Sequence, residues 1–253
     1  MQMFDLSAKT AIVTGGNGGI GLGMARGLAS AGANIAVAAR NADKSAIAVT
    51  ELQALGVQAH AVSVDVTSAQ SLEAMAAEVV GHFGSIDILI NNAGTNIRKR
   101  PEELAEDEWM QVINTNLSSS FLCSKACYQY LKVGGGKVLM NGSMLSIFGS
   151  PWGPAYASSK GGVVQLTKSL ATAWAADNIQ VNCFLPGWID TDLTKNARRE
   201  VDGLHDHVLK RTPADRWGTI EDMAGIAVFL SSAASDFVTG TAIPVDGGFS
   251  INI

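Results

Sequence analysis

Short apolar runs alternate with longer segments of helical period along the whole chain. TAIVT (10–14), NIAVAA (34–39), AHAVSVDV (59–66), IDILINNAG (86–94), GKVLMNGS (136–143), NIQVNCFLP (178–186) and TAIPVDGG (241–248) read as strands. Between them lie helical patterns: from the glycines after residue 14 to about Ala31, then SAIAVTELQAL, then SLEAMAAEVVGHF. A long helix is predicted over 106–132, another opened by YASSK and running to about Asp177, and one near 220–233. The stretch 190–218 is polar and charged. Alternation of strand and helix predicts an α/β fold: a doubly wound, parallel, seven-stranded sheet with helices on both faces. No Pro- or Ser-rich linker or low-complexity tract interrupts 1–253, so a single domain is expected. Ligands of such sheets bind beyond the carboxyl ends of the strands.

Composition narrows the function classes. A chain of 253 residues, 47% apolar and 16% charged, has enough apolar surface for a large core and is no disordered segment. A net charge of −5 argues against nucleic acid as the main partner. There is no basic n-region followed by an apolar run, and no apolar run long enough to span a membrane, so a soluble protein is expected. Cys123, Cys127 and Cys183 do not have metal-ligand spacing and read as buried thiols, which fits the reducing cytoplasm. His60, His82, His205 and His207 are scattered; the last two point to different sides of a helix and read as surface residues. No metal is expected.

TGGNGGIG (14–21) sits between the first strand and the first helix. Gly16, Gly18 and Gly21 satisfy G-x-G-x-x-G; Gly15, Gly19 and Gly21 satisfy G-x-x-x-G-x-G. Glycines there let a pyrophosphate approach the backbone, and the helix N-terminus offers unpaired N–H groups. This predicts dinucleotide binding at Gly15, Asn17, Gly18, Gly19 and Ile20. After the second strand stands Arg40 rather than a carboxylate; the next acid is Asp43. An arginine there can pair with a 2′-phosphate, which favours NADP(H) over NAD(H); the alternative is a solvated turn residue.

Tyr156 and Lys160, in YASSK, lie on one helical face. Thr14-Gly15…Gly19-Ile20-Gly21, Asn91-Asn92-Ala93-Gly94, Asn116, Ser143, Tyr156-x-x-x-Lys160 and Pro186-Gly187 resemble, in order and spacing, the short-chain dehydrogenase/reductase family over nearly the whole chain. The resemblance implies a Rossmann fold, an Asn116–Ser143–Tyr156–Lys160 tetrad and a homotetramer. It also implies adenine contacts at Asp65 and Val66, and further cofactor contacts at Asn92, Ala93, Gly94, Tyr156, Lys160, Pro186, Gly187, Ile189 and Thr191. The chemistry agrees with it. A free tyrosine has a pKa of about 10, and a nearby Lys160 ammonium is expected to lower it. Ser143 can donate to the substrate oxygen, and Asn116 can hold a water linking Lys160 to solvent.

Arg98-Lys99-Arg100 follows the fourth strand's turn and either attracts an anionic substrate or forms a solvated loop. Trp152 and Trp188 flank the site in sequence, and Leu145 lies in SMLS (143–146). Segment 190–215 is the candidate lid. SMLS, RTPADRWG (211–218) and FLSSAASDFVTGTAIPVDGG are similar to members acting on sugar acids, the gluconate 5-dehydrogenases and 2-deoxygluconate 3-dehydrogenases among them. The 3-oxoacyl carrier-protein reductases look similar at this level. The expected function is NAD(P)(H)-dependent interconversion of a secondary alcohol and a ketone on a small-molecule substrate. A broad-range carbonyl reductase remains an alternative within that class. From other classes, a dinucleotide sensor would have a broken tetrad, and a methyltransferase would need no Tyr–Lys pair.

Overall fold

The central apolar runs become strands buried on both faces. In the computed structural model, which describes residues 2–252, all five residues of β1 (Thr10–Thr14) and all eight of β6 (Ile179–Pro186) are buried. The remaining strands are β2 (Asn34–Ala39), β3 (Ala59–Ser63), β4 (Ile88–Asn91), β5 (Gly136–Asn141) and β7 (Ala242–Val245). They form one parallel sheet in the order β3-β2-β1-β4-β5-β6-β7. The order reverses at β1, which pairs with both β2 and β4 and opens a crevice at their carboxyl ends. This is the doubly wound single-domain Rossmann architecture expected from the alternation.

The pleat divides the core in two. Ile12, Leu89, Val138, Met140, Val181 and Cys183 pack on one face. Their alternates Ala11, Val13, Ile88, Ile90, Leu139 and Phe184 pack on the other. The first face is covered by α3 (Ala69–Phe83), α5 (Ser119–Leu131) and α6 (Pro154–Trp174), and the second by α1 (Gly19–Ser30), α2 (Ala42–Gln53) and α9 (Ala224–Ser231). Cys123, Cys127 and Cys183 are free and buried.

Apart from shorter ends of β4 (Ile88–Asn91) and β7 (Ala242–Val245) and a 3-10 turn at Ile220–Met223 before α9, three differences from the sequence reading stand out. Strand β3 stops at Ser63 rather than Val66, because Asp65 Oδ1 accepts from Thr67 N (2.9 Å) and Thr67 Oγ1 (2.7 Å) and bends the chain into a turn. The predicted helix over 106–132 is interrupted. α4 (Glu106–Ile113) passes through a π turn at Asn114–Ser118 before α5 begins. There the hydroxyls of Ser119 and Ser120 donate to the carbonyls of Thr115 (2.6 Å) and Asn116 (2.8 Å), competing with the regular ladder. The stretch 190–218 holds two helices, α7 (Asp192–Glu200) and α8 (Leu204–Arg211). Among the described residues, no helix is long and apolar enough to cross a membrane.

Candidate active site

The carboxyl ends of β1, β4, β5 and β6 border a cavity of about 330 Å³. Its lining includes Gly15, Asn17, Gly18, Gly19 and Ile20 from the glycine turn, and Asn92, Ala93 and Gly94 after β4. It also includes Ser143, Tyr156, Lys160, Pro186, Gly187, Ile189 and Thr191. The glycine turn is shaped for close approach. Gly15 has φ +65°, and a Cβ on Gly21 would lie 2.4 Å from Gly15 O and 2.5 Å from Asn92 Nδ2. A Cβ on Gly18 would meet nothing within 4 Å, so that side of the turn faces open space. Gly18 precedes α1 and supplies no side-chain cap to its N-terminus. A bare helix start beside an open cradle fits a dinucleotide pyrophosphate.

Hydrogen bonds link the strand ends beneath this cavity. Thr14 Oγ1 donates to Ile90 O (3.2 Å) and accepts from Asn92 N (2.9 Å). Asn92 Nδ2 donates to Thr14 O (2.9 Å), and Asn141 Nδ2 donates to Asn92 Oδ1 (2.9 Å). Lys160 Nζ donates to Asn141 O (2.6 Å) and lies 5.6 Å from the centre of the Tyr156 ring. Ser143 stands at the end of β5, where its Oγ accepts from Leu145 N (3.1 Å). Pro154 starts α6, and this places Tyr156 in the first turn and Lys160 one turn on.

Asn116 is buried in the π turn. Its Oδ1 accepts from Thr95 N (2.8 Å), and its Nδ2 donates to Thr95 O (2.9 Å) and to Ser159 Oγ (3.0 Å). Ser159 Oγ in turn donates to Tyr156 O (2.7 Å). These bonds clamp the loop after β4 to the start of α6.

Electrostatics also depart from expectation. Burial raises the Tyr156 phenol above its ordinary value, opposed by the Ser143 hydroxyl and the charge of Arg98. Burial pushes Lys160 down to about 8, opposed by Cys183. Desolvation is the largest influence on Tyr156, and the cation that opposes the rise is Arg98.

A second cavity, about 310 Å³, adjoins the first and shares Ser143, Tyr156, Pro186, Gly187, Leu193 and Thr194 with it. Arg98, Leu145, Trp152 and Trp188 all line it. The three loop cations are paired: Arg98 Nη1 with Glu200 (2.9 Å), Lys99 with Glu108 (2.6 Å) and Arg100 with Glu102 (2.6 Å). Trp152 is 46% exposed beneath the Arg100 guanidinium. Helices α7 and α8 add Ala197, Leu204, His207 and Arg211 to the lining, while His205 turns away to stack on Trp217.

Arg40, Asp65 and Val66 lie outside both cavities. Arg40 is exposed, and its charge helps hold the Asp65 carboxyl below its usual range, after the hydrogen bonds from Thr67. Sequence reasoning missed Asn141, Ser146, Ser159, His207 and Arg211. Ser146 Oγ donates to Lys160 O (2.8 Å). The available signals were the polar strand end NGS and the i, i+4 spacing of His207 and Arg211.

A family model described as enoyl-(acyl carrier protein) reductase matches residues 15–250. The chain is 41% identical over 251 residues to a 2-dehydro-3-deoxy-D-gluconate 5-dehydrogenase of Bacillus subtilis (strain 168), covering 97% of this chain and 96% of that one. It is 37% identical to a gluconate 5-dehydrogenase of Gluconobacter oxydans (strain 621H) over 253 residues, 100% of this chain and 98% of that one. Its fold matches a gluconate 5-dehydrogenase from Burkholderia cenocepacia J2315, solved in complex with NADP and tartrate, with a TM-score of 0.95. There the identity is 37%, covering 100% of this chain and 99% of that one. The chain belongs to the short-chain dehydrogenase/reductase family. As a member, it is an oxidoreductase acting on CH–OH groups with NAD(P)+ as acceptor. The glycine turn and the strand ends of this short-chain dehydrogenase/reductase line the cavity of about 330 Å³.

Proposed function

We propose that this protein is an NADP(H)-preferring oxidoreductase that interconverts a hydroxyl and a keto group on a sugar acid. The observation that carries the reading is the junction of the two cavities at Ser143 and Tyr156, which lets one pair of hydroxyls face both cofactor and substrate. Gly15, Asn17, Gly18, Gly19 and Ile20 would hold the pyrophosphate. Asn92, Ala93, Gly94, Pro186, Gly187, Ile189 and Thr191 would hold the nicotinamide half, with Asp65 and Val66 beside the adenine. The exposed Arg40 supports a 2′-phosphate and so NADP(H), with NAD(H) as the poorer alternative. When bound, the nicotinamide gives or accepts the hydride.

The chain's own residues handle the proton and the carbonyl. Tyr156 protonates the substrate oxygen in reduction and deprotonates the hydroxyl in oxidation. Ser143 donates a hydrogen bond to the same oxygen. Lys160 places a positive charge beneath the site from its seat on Asn141 O. Asn116 holds the Thr95 loop against α6. Arg98, Leu145, Trp152 and Trp188 wall the substrate cavity, and segment 190–215 closes over it as a lid. The names of the relatives support the sugar-acid class. Exposed Met110 and Phe121, on α4 and α5, support a homotetramer, and three free buried thiols support a cytoplasmic location.

One assay series tests this reading. Wild type, Tyr156→Phe and Arg40→Ala are compared with NADPH and NADH against 5-keto-D-gluconate, cyclic ketones and acyl thioesters. Tyr156→Phe should lose about 10²- to 10⁴-fold in kcat while its NADPH affinity stays within about threefold. Wild type should prefer NADPH, and Arg40→Ala should erase that preference. Retained turnover in Tyr156→Phe, or a wild-type preference for acyl thioesters, would overturn the proposal.

A further inference from the structure

We infer that Arg211, rather than Arg98, is the group that recognises the substrate carboxylate; this rests on the sugar-acid reading above. Both arginines line the cavity that holds Ser143 and Tyr156. They differ in what already satisfies their charge. Arg98 is paired with Glu200 at 2.9 Å. Arg211 has no carboxylate partner among the described residues.

The setting of Arg211 is built by three segments. It is the last residue of α8, one turn beyond His207, which lines the same cavity. Its guanidinium lies 4.4 Å from the centre of the Phe249 ring and 5.0 Å from that of Phe148. Phe148 follows β5, and Phe249 belongs to the C-terminal tail. Arg211 Nε donates to Asn252 O (3.3 Å), and Asn252 Nδ2 donates back to Arg211 O (3.1 Å). Aromatic faces hold the planar cation and shed its water, while the terminal Nη groups keep the fork that matches a carboxylate in two parallel hydrogen bonds. A protein of net charge −5 needs such a local cation to draw in an acid.

The chemistry of the substrate argues for the same division. In a sugar acid that reacts several carbons from its carboxylate, the carboxylate cannot lie beside the group that moves the proton. Arg98 is close enough to Tyr156 for its charge to act on the phenol, and it serves the reacting end. Arg211 then reads the acid end.

The test compares Arg211→Gln, Arg211→Lys and Arg98→Gln, with 5-keto-D-gluconate and the neutral ketohexose L-sorbose as substrates and NADPH affinity as the check on folding. Arg211→Gln should raise KM for the acid about 10- to 100-fold, with its kcat and the kcat/KM for L-sorbose within about threefold of wild type. Arg211→Lys keeps a cation between the rings but loses the fork, and should raise KM for the acid about 3- to 10-fold. It carries the test if Arg211→Gln does not bind NADPH. Arg98→Gln should lower kcat on both substrates. Equal losses on both substrates in the Arg211 variants, or an acid-selective KM effect confined to Arg98→Gln, would overturn the assignment and leave the sugar-acid reading standing. A wild type with no preference for the acid over L-sorbose would overturn both.

Discussion

The two adjoining cavities are built from different materials. The one beneath the glycine turn is made of backbone and short polar side chains at the ends of β1, β4, β5 and β6. Its shape follows from the sheet, and its hydrogen bonds run between neighbouring strands. The other is walled by large side chains from the loop after β4, the loop after β5, α7, α8 and the C-terminal tail. Nothing in the sheet dictates those walls. A site whose geometry comes from strand ends serves the chemistry a whole family shares, while one made from separate loops can change its ligand without disturbing the sheet. Only Ser143, Tyr156 and four residues of β6 and α7, including the turn between them, belong to both.

The largest expected effect comes from removing the buried cation beneath the first cavity. Lys160→Met should lower kcat by about 10²- to 10⁴-fold. Stability should move the other way. The folded-state pKa of about 8 lies below the ordinary 10.5, so between those pH values the unfolded chain binds more protons than the folded one. Wild-type stability should therefore gain from this group as pH rises from 8 to 10.5. At pH 7 its burial costs roughly 3 kcal/mol, partly offset by the bond to Asn141 O. Urea unfolding across that pH range should show a steeper rise for wild type than for Lys160→Met, with the variant no less stable at pH 7. Equal slopes would mean that Lys160 is solvated.

A pair of glycine substitutions separates packing from ligand contact in the same cavity. Gly21→Ala forces its methyl against Gly15 O and Asn92, and should lower Tm by about 2–10 °C. Gly18→Ala meets no protein atom and should leave Tm within about 2 °C while weakening NADPH binding about tenfold or more, because the methyl enters the phosphate cradle. Unchanged NADPH affinity in Gly18→Ala would move the pyrophosphate away from this turn.

The smallest effect belongs to the second cavity. Glu200→Gln removes a half-exposed carboxylate whose charge repels an approaching acid, and KM for 5-keto-D-gluconate should fall about 2- to 5-fold at low salt, with L-sorbose unaffected. An equal change on both substrates would show that the pair shapes the cavity rather than its charge.

Much of the first cavity was legible because its residues sit where strands end, and strand ends are visible as apolar runs closing in Asn, Gly or Ser. Ser143 stands just past such an end, whereas Tyr156 and Lys160 are legible from their i, i+4 spacing on a helix. Asn116 was identified, but its partners were not: they depend on a π turn that no periodicity within INTNLSS announces. Nothing in YASSK singles out Ser159, yet its hydroxyl donates to the Tyr156 carbonyl and accepts from Asn116 Nδ2. Arg98 was singled out for its charge, and its pairing with Glu200, 102 residues away, was invisible. Arg211 went unnoticed because its aromatic partners come from two distant segments.

By itself the sequence determined the parallel sheet, the glycine turn, the order of the strand ends and the residues able to move a proton, since these follow from local periodicity, backbone freedom and side-chain chemistry. The tertiary structure decided which charges are neutralised, that burial is the largest influence on Tyr156, and which of the two cavity arginines lacks a carboxylate partner among the described residues. Those outcomes depend on desolvation and on contacts between residues far apart in the chain, and both exist only once the chain has folded.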